Sequence, residues 1–197
     1  MTLPLAFFDV DTQVDFMDPQ GKLYVPHAED IVPRLVQLMS YARERNIPVL
    51  SSADAHAPDD PEFKIWPPHC VTGTRGQQHI KETSLPGALT VSMHSGPFVP
   101  PGKWPPQIII EKEVYETSAN PNFDAILKAL GAHRYVVFGV VTEYCVRADV
   151  LALRRRNMPV ELVVDAIKAI DEEDGRKAID EMTAAGAELV TAAEVCK

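Results

Sequence analysis

The sequence predicts an α/β fold: a three-layer α/β/α domain with a mostly parallel, Rossmann-like central sheet. Short apolar runs alternate along the chain with longer segments whose apolar residues recur at helical spacing. The runs are continuously apolar, which is typical of strands that helices cover on both faces. A chain of 197 residues is long enough for one hydrophobic core, so a single domain over residues 1–197 is expected.

The first part of the chain predicts a strand, a helix and a second strand. Residues 5–10 are an apolar run of the length of a buried strand. Residues 29–46 predict a helix, because their apolar residues recur at helical spacing, namely Ile31, Leu35, Leu38, Met39 and Ala42. Residues 47–52 are again strand-like. This alternation is the pattern of a parallel sheet.

A long loop over residues 54–106 interrupts the alternation before a third strand at 107–110. The loop holds ten of the 17 prolines, and loops of this length in compact domains are usually functional or disordered. We expect an ordered loop because it contains aromatic and histidine residues, namely His56, Phe63, Trp66 and His69. A subunit interface is one use for such a loop, so a homo-oligomer stays open.

The second half of the chain returns to alternating helices and strands. Residues 123–130 predict a helix that Gly131 is placed to end. Residues 134–140 are the strongest strand signal, and a helix then runs from Thr142 or Glu143 to about Asn157. The remaining predicted elements are a strand at 160–164, a helix at 171–185 and a strand at 187–190.

Composition and charge narrow the classes of function. The net charge of −9 would repel a phosphate backbone, so a nucleic-acid partner is not expected. No apolar run approaches the ~20 residues that span a bilayer, and residues 1–8 lack the features of a signal peptide. The three cysteines show no disulfide spacing, which favours reduced thiols. We therefore expect a cytoplasmic protein without a membrane partner.

Cys145 is a candidate nucleophile. A buried strand ends at Gly139 or Val140, so Cys145 would lie in the first turn of the following helix. Backbone N–H groups and the helix dipole there would lower the pKa of the thiol and could hold an oxyanion. A lone cysteine is also often a small buried apolar residue, and the residues alone leave that alternative open.

Charged residues at two other strand ends could handle the proton of the thiol. Asp9 and Asp11 lie at the end of the first strand, and Lys112 lies just past the third. Parallel strands bring their carboxyl ends to one edge of the sheet. An aspartate, a lysine and a cysteine there could form a proton-relaying triad. A helix cap for the aspartates and a solvated surface for the lysine are the alternatives.

A second group of residues suits a metal ion. Asp54 and His56 follow the second strand at a spacing that places them on one side of an extended chain, and His69 follows two prolines. Two imidazoles and a carboxylate suit zinc, iron or manganese, with positions left for water or substrate. Glu62 lies between the histidines as a further candidate ligand.

Four motifs occur in order along the chain, with Lys112 between the third and the fourth. They are Asp11-Thr-Gln13-Val-Asp15-Phe16; Asp54-Ala-His56; Trp66-Pro-Pro-His69-Cys70 with Val71-Thr-Gly73-Thr74; and Gly139-Val-Val-Thr-Glu-Tyr-Cys145-Val146. In this order and spacing the chain resembles the cysteine hydrolases of the isochorismatase-like superfamily, and within it the nicotinamidases. The resemblance covers nearly the whole chain and implies the isochorismatase-like fold.

The resemblance implies a role for each group. It implies a triad of Cys145, Asp11 and Lys112, because the motif fixes the register on Asp11. It implies one divalent ion on Asp54, His56 and His69, with Glu62 or a neighbour as a fourth ligand. Zinc is our first expectation, with iron or manganese as alternatives. The resemblance also implies a cis peptide at Val140–Val141 that turns the N–H groups of Val141 and Cys145 toward an oxyanion.

The resemblance implies an activity as well. Nicotinamidases hydrolyse nicotinamide to nicotinate and ammonia through a cysteine thioester, with the pyridine nitrogen on the metal. Phe16 and Trp66 match aromatic residues that pack the ring. The sequence departs from the family at Ala55 and at 113–123, which borders the substrate.

Three other functions stay open. The first is a cysteine amidase acting on another small amide or N-carbamoyl compound. The second is a non-catalytic member of the fold, and the third is a metal oxygenase with a facial triad.

Overall fold

A seven-stranded sheet in which every neighbouring pair of strands is parallel forms the centre of the computed structural model. The strand order is β3-β4-β2-β1-β5-β6-β7. The strands are β1 Leu5–Val10, β2 Val49–Asp54, β3 Leu89–Val91, β4 Gln107–Lys112, β5 Arg134–Val140, β6 Val160–Lys168 and β7 Glu188–Val190. The structure describes residues 5–197; residues 1–4, which begin the segment where we expect no signal peptide, lie outside the described residues.

Helices cover both faces of the sheet. They are α1 Val14–Met17, α2 Val32–Arg45, α3 Phe123–Leu130, α4 Arg147–Arg155, α5 Glu172–Ala184 and α6 Ala192–Val195. Helices α3, α4 and α5 pack on the face that carries Phe8 and Val10. Helices α1, α2 and α6 pack on the face that carries Phe7. The alternation of side chains along β1 therefore feeds two apolar cores, and the predicted three-layer α/β/α fold is confirmed.

Several element boundaries differ from the sequence predictions. Residues 28–31 form a 3₁₀ turn before α2, and Thr142–Val146 form a π-helical turn before α4, where one continuous helix was predicted. Strand β6 continues to Lys168, beyond the predicted end at 164. The long segment after β2 contains one 3₁₀ turn, Pro61–Lys64, and strand β3, which was not predicted. Two of the three residues of β3 are exposed, so this edge strand lacks an apolar signal.

The long segment is held to the sheet by buried polar contacts. The hydroxyl of Thr12 contacts the Asp9 carboxylate at 2.9 Å, the Thr83 hydroxyl at 2.6 Å and Nδ1 of His79 at 3.1 Å. The Ser51 hydroxyl also donates to Asp9. This cluster connects β1 and β2 to residues 79–83. The ordered loop that the aromatic and histidine residues predict is what the structure contains.

The chain changes direction in the sheet at β1. Strands β2 and β4 follow on one side of β1, whereas β5 and β6 follow on the other. A crevice at such a switch point, outside the carboxyl ends of the strands, is where α/β proteins bind ligands. The peptide bond between Val140 and Val141, at the end of β5, is cis. No helix within residues 5–197 is both long and apolar enough to cross a bilayer.

Candidate active site

Four strands deliver charged or nucleophilic side chains to one edge of the sheet. Asp11 follows β1, Asp54 ends β2, Lys112 ends β4 and Cys145 follows β5. All four side chains are buried, although three of them are ionisable groups that normally face water. Burying charges is costly unless they are paired, so this concentration of them requires specific partners.

Lys112 supplies the charge that compensates the two carboxylates. Its Nζ lies 2.8 Å from Oδ2 of Asp11, donates to Oδ1 of Asp54, and lies 3.4 Å from Sγ of Cys145. The Ser52 hydroxyl donates to Oδ1 of Asp11 at 2.6 Å. The ammonium approaches Oδ2 of Asp11 outside hydrogen-bonding alignment, and this oxygen has no aligned hydrogen-bond partner within residues 5–197. Oδ2 therefore keeps a lone pair for a proton.

These surroundings set the protonation of each group. Burial disfavours the charge on Lys112, but Asp11 and Asp54 outweigh it and hold the pKa of Lys112 well above its usual value. Burial, opposed by Lys112, raises the pKa of Asp11. Burial opposes ionisation of Asp54 too, yet Lys112 and the histidines hold its pKa below its usual range. Lys112 is thus a permanent cation, and Asp11 is the carboxylate that takes up a proton more readily.

Cys145 lies in the π-helical turn, and its thiol is more shielded than its position at a helix start predicts. Burial raises the pKa of Cys145 well above its usual value; Lys112 opposes the rise, and Asp11 and Asp54 add to it. The expectation that the helix start would lower this pKa is therefore not met, because burial and two carboxylates outweigh the dipole. The resting side chain is a thiol that needs a base.

The predicted metal ligands lie together on the other side of Asp54. Oδ2 of Asp54 is 3.7 Å from Nε2 of both His56 and His69, and the two imidazole centroids are 4.9 Å apart. These three residues form a buried group whose ligand atoms all lie within 4.8 Å of one another. Asp54 therefore joins the two halves of the site, with one oxygen toward Lys112 and the other toward the imidazoles.

The hydrogen bonds of the two imidazoles fit a cation. Nδ1 of His69 contacts the Pro67 carbonyl at 2.9 Å, and Nδ1 of His56 contacts the Asp60 carboxylate at 3.0 Å. Both acceptors require a proton on Nδ1, so in the neutral imidazoles the lone pairs of Nε2 point toward Asp54. In the described part of the chain, Nε2 of His56 is buried without a hydrogen-bond partner. Two lone pairs facing a carboxylate repel one another unless a positive charge lies between them.

The pKa of His56 supports the same reading. Burial disfavours the imidazolium, but the carboxylates of Asp54 and Asp60 outweigh burial and raise the pKa of His56 to about 9. The group is therefore an environment that favours positive charge. The donor set of two imidazole nitrogens and a carboxylate oxygen suits zinc, iron or manganese.

A small pocket opens between the two halves of the site. The lining includes the predicted catalytic and metal-binding residues Asp11, Asp54, His69 and Cys145. The remaining walls are Val141, the partly buried Glu62 and mainly apolar or aromatic side chains, namely Phe16, Leu23, Trp66, Tyr115, Tyr144 and Ile170. Among the lining residues that the structure describes there is no lysine or arginine.

The structure brings most of the predicted site residues together. Phe16 and Trp66 both line the pocket, as does Val141, whereas Val140 is a buried residue of β5. Glu62 also lines the pocket but groups with His56 and Asp60 rather than with the three predicted ligands. Asp9 points away from this site, into the cluster of Thr12 and His79.

Three residues of the site were missed in the sequence. Asp60 follows His56 by four residues, and this spacing was the available signal. Tyr144 stands in the Cys145 motif, but only the fold shows that its ring packs on Trp66 at 5.4 Å. Tyr115 lies in the segment that departs from the family. Its hydroxyl accepts a hydrogen bond from Nε1 of Trp66 at 3.0 Å, a contact that no local pattern reveals.

The comparisons with known proteins agree with this geometry. An isochorismatase-domain family model matches residues 6–194. The nicotinamidase of Escherichia coli K12 is 25% identical to the chain, with 97% of this chain and 96% of the relative covered.

Two solved structures share the fold at higher identity. A pyrazinamidase of Pyrococcus horikoshii in complex with zinc has a TM-score of 0.81 and 30% identity, with 95% of this chain and 99% of that chain covered. An N-carbamoylsarcosine amidase of Thermoplasma acidophilum has a TM-score of 0.76 and 28% identity, with 96% and 97% covered. The chain therefore belongs to the isochorismatase-domain family and is an amide-hydrolysing enzyme.

Proposed function

We propose that the chain is a metal-containing cysteine amidase of the nicotinamidase type, which hydrolyses nicotinamide to nicotinate and ammonia. The observation that carries the proposal is the position of Lys112 Nζ, 3.4 Å from Sγ of Cys145 and 2.8 Å from Asp11. A nucleophile and a base thus meet at one wall of the pocket, and the cation of Lys112 lies directly behind them. The histidine group forms another wall, so a small amide can contact both.

In the proposed reaction Asp11 is the base. Lys112 stays protonated beside two carboxylates, whereas Oδ2 of Asp11 can accept the thiol proton. Loss of that proton frees the sulfur lone pair, which forms a bond to the amide carbonyl carbon. The carbonyl oxygen takes the displaced electron pair and becomes an oxyanion. We assign the backbone N–H groups of Val141 and Cys145, at the end of β5, as its donors.

The second half of the reaction returns every proton. As the carbon–nitrogen bond breaks, Asp11 gives its proton to the leaving nitrogen, and ammonia departs from a Cys145 thioester. A water molecule then attacks the thioester carbonyl and passes a proton to Asp11. The carbon–sulfur bond breaks, Asp11 protonates the released sulfur to restore the thiol, and the carboxylic acid leaves. Lys112 compensates the charge on Asp11 and the sulfur throughout.

Asp54, His56 and His69 would hold the metal ion, with zinc as our first assignment and iron or manganese as alternatives. Glu62 or a neighbour, close to His56, would add a further oxygen. When bound, the ion would supply a Lewis acid at the pocket wall opposite Cys145. Asp60 orients His56 through Nδ1, and the Pro67 carbonyl orients His69 in the same way.

The charges of the pocket favour a neutral substrate. Three carboxylates, Asp11, Asp54 and Glu62, line it, and the lining residues of the described chain include no arginine or lysine to receive an anion. A substrate that carries its own carboxylate, such as an N-carbamoyl amino acid, would lose its hydration without an arginine or lysine of the lining to pair with. Phe16, Trp66 and Tyr144 offer flat apolar surface instead. A small neutral aromatic amide suits these walls better than an anionic carbamoyl compound.

Ammonia release from three matched substrates tests the proposal. We expect the kcat/KM for nicotinamide to exceed that for benzamide, which has the same shape but lacks the ring nitrogen, by a factor on the order of 10²–10⁴. N-carbamoylsarcosine should react more slowly still. Equal values for nicotinamide and benzamide would contradict a role for the ring nitrogen. Turnover of the carbamoyl compound alone would favour the second candidate, a cysteine amidase of the N-carbamoyl type.

The proposal also covers the compartment, the partners and the oligomeric state of the enzyme. A nucleophilic thiol and two further unpaired cysteines in the described chain suit a reducing compartment such as the cytoplasm. The small amide is the proposed partner, and the acidic surface argues against nucleic acid. Residues 1–197 are proposed to form one domain, because a single sheet carries both apolar cores. A homo-oligomer remains a proposal that sedimentation would test.

A further inference from the structure

Asp149 is a buried acid that the proposed reaction does not use. It lies on α4, one helical turn beyond Cys145, and its side chain has no exposure to solvent. Its two carboxylate oxygens each accept a hydrogen bond of 2.7 Å from Thr117, one from the backbone N–H and one from the hydroxyl. An acid is costly to bury without hydrogen-bond partners, and Thr117 supplies a partner to each of its two oxygens.

Thr117 belongs to the segment that forms one wall of the pocket. This segment, residues 113–119, starts directly after Lys112 and carries Tyr115. The Tyr115 ring lies 5.3 Å from the Tyr144 ring, and its hydroxyl accepts from Nε1 of Trp66 at 3.0 Å. Tyr115 therefore connects two of the other aromatic residues of the lining, Trp66 and Tyr144, and its position depends on the contacts that hold the segment.

The other contacts of the segment hold its far end or lie in solvent. Asn120 donates to the carbonyls of Glu111 and Val91 and so fixes the chain beyond the segment. Glu116 pairs with Arg155, but both side chains are substantially exposed, and exposed ion pairs contribute little. The two bonds of Asp149 are the buried connection between the segment and the helix that carries the nucleophile.

We propose that Asp149 is a positioning residue that sets substrate specificity: by holding Thr117, it fixes Tyr115 at a set distance from Cys145 and so gives the pocket the width of a flat ring. The inference rests on the proposed amidase function and names the feature that selects aromatic over aliphatic amides. Asp149 does not contact the substrate; it acts through Thr117 and Tyr115.

Two substitutions at one position separate this role from general packing. Asp149→Asn keeps one acceptor and gains one donor, so it can still accept from the Thr117 N–H and can donate to its hydroxyl. Asp149→Ala loses both bonds. For nicotinamide we expect Asp149→Ala to raise KM about 10-fold or more while kcat changes less than about 3-fold, because the thiol and its base are intact. Asp149→Asn should stay within about 3-fold of wild type in both.

The substrate comparison and a matched control complete the kinetic test. Asp149→Ala should change the kcat/KM for a small aliphatic amide, propionamide, by less than about 3-fold, so the preference for the ring falls about 10-fold. Glu116→Gln, which removes the exposed pair with Arg155, should leave every constant within about 2-fold. An unchanged preference in Asp149→Ala, or equal losses for both amides that Asp149→Asn fails to restore, would overturn the proposal.

A measurement without turnover keeps the inference independent of the proposed function. In a Trp104→Phe background the tryptophan fluorescence comes from Trp66 alone, the partner of Tyr115. Acrylamide quenching should increase about 2-fold in Asp149→Ala and stay unchanged in Asp149→Asn. Thr117→Val, which removes one bond, should show an intermediate increase and serves if Asp149→Ala does not fold. Inactivity toward all amides with these quenching changes would refute the amidase proposal alone, whereas unchanged quenching would refute the role of Asp149.

Discussion

The three cysteines lie in different environments, and Cys145 is the one whose sulfur contacts a charged side chain in the described part of the chain. Sγ of Cys145 contacts Lys112, whereas Cys70 packs in the core beside α1 and α2 and Cys196 lies partly exposed near the carboxyl end. We expect Cys145→Ala to lower ammonia release by about four orders of magnitude or more while the circular-dichroism melting curve keeps its shape. Cys196→Ala is the matched control and should stay within about 2-fold. Near-normal release by Cys145→Ala would show that another group is the nucleophile.

Asp149 also gives a pH dependence of stability. Burial, opposed by Lys112, raises the pKa of Asp149 from 3.8 to about 7. The folded protein therefore holds this proton more tightly than the unfolded chain does. The stabilisation that this proton gives to the folded state is complete below about pH 4. It is lost as the pH rises through about 7.

Asp149→Asn carries no such proton. Its free energy of unfolding relative to wild type should therefore rise by a few kcal/mol between pH 4 and pH 8, at about 1.4 kcal/mol for each unit of pKa shift. Urea unfolding at several pH values measures the difference. Asp180→Asn, at an exposed aspartate, is the control and should give a constant difference. A constant difference for Asp149→Asn as well would show that the buried acid is not perturbed.

The sequence predicted which strand ends carry the ionisable residues of the site, but it did not distinguish Asp9 from Asp11. Lys112, Asp54 and Cys145 lie at the ends of apolar runs that become parallel strands of one sheet, so the rule that such ends share an edge predicts their meeting. The residues left Asp9 and Asp11 equivalent, and only the family motif favoured Asp11. The chain turns at Asp11, with φ of 48°, which sends the two carboxylates to different clusters. Asp60 and Tyr115 act through contacts between loops, which no periodicity encodes.

At the scale of elements, β5 depends on a glycine next to the site. Gly139 has φ of 120°, and a Cβ there would lie 2.1 Å from the carbonyl oxygen of Val10 on β1. We expect Gly139→Ala to lower the free energy of unfolding by about 2–4 kcal/mol, because neither backbone can move without breaking the sheet. Chemical denaturation measures the loss. Gly102→Ala, where a Cβ meets no atom within 4 Å, should change stability by less than about 1 kcal/mol.

The elements that could be predicted are those whose own residues show the apolar pattern of a helix or strand and the residue that ends it. Helix α3 and strand β5 have the predicted bounds, because α3 has a regular apolar face with Gly131 after it and β5 is a continuous apolar run. Strand β3 was missed, because its hydrogen bonds come from β4 and two of its three residues are exposed. The π-helical turn at Thr142–Val146 was also missed, since its composition suits an ordinary helix.

For the whole molecule, the histidine group predicts that stability depends on a metal ion. Elemental analysis should find about one divalent ion per chain, and His56→Ala or His69→Ala should lose it. His94→Ala, at an exposed histidine, should keep it. An ion at 100 times its Kd adds ~2.7 kcal/mol, so a chelator should lower the Tm by roughly 5–10 °C. A Tm that the chelator does not change, with no ion in the purified protein, would contradict the metal assignment.

The spread of the site along the chain determines when it can be assembled. Asp54, His56 and His69 lie within sixteen residues of one another, so this group closes a short loop at a small entropic cost. Asp11, Lys112 and Cys145 meet only when β1, β4 and β5 have taken their places in the sheet. During synthesis the chain therefore holds a nearly complete cation-binding segment well before it has a nucleophile. Reactivity of the thiol is acquired later, and it reports that β1, β4 and β5 have come together.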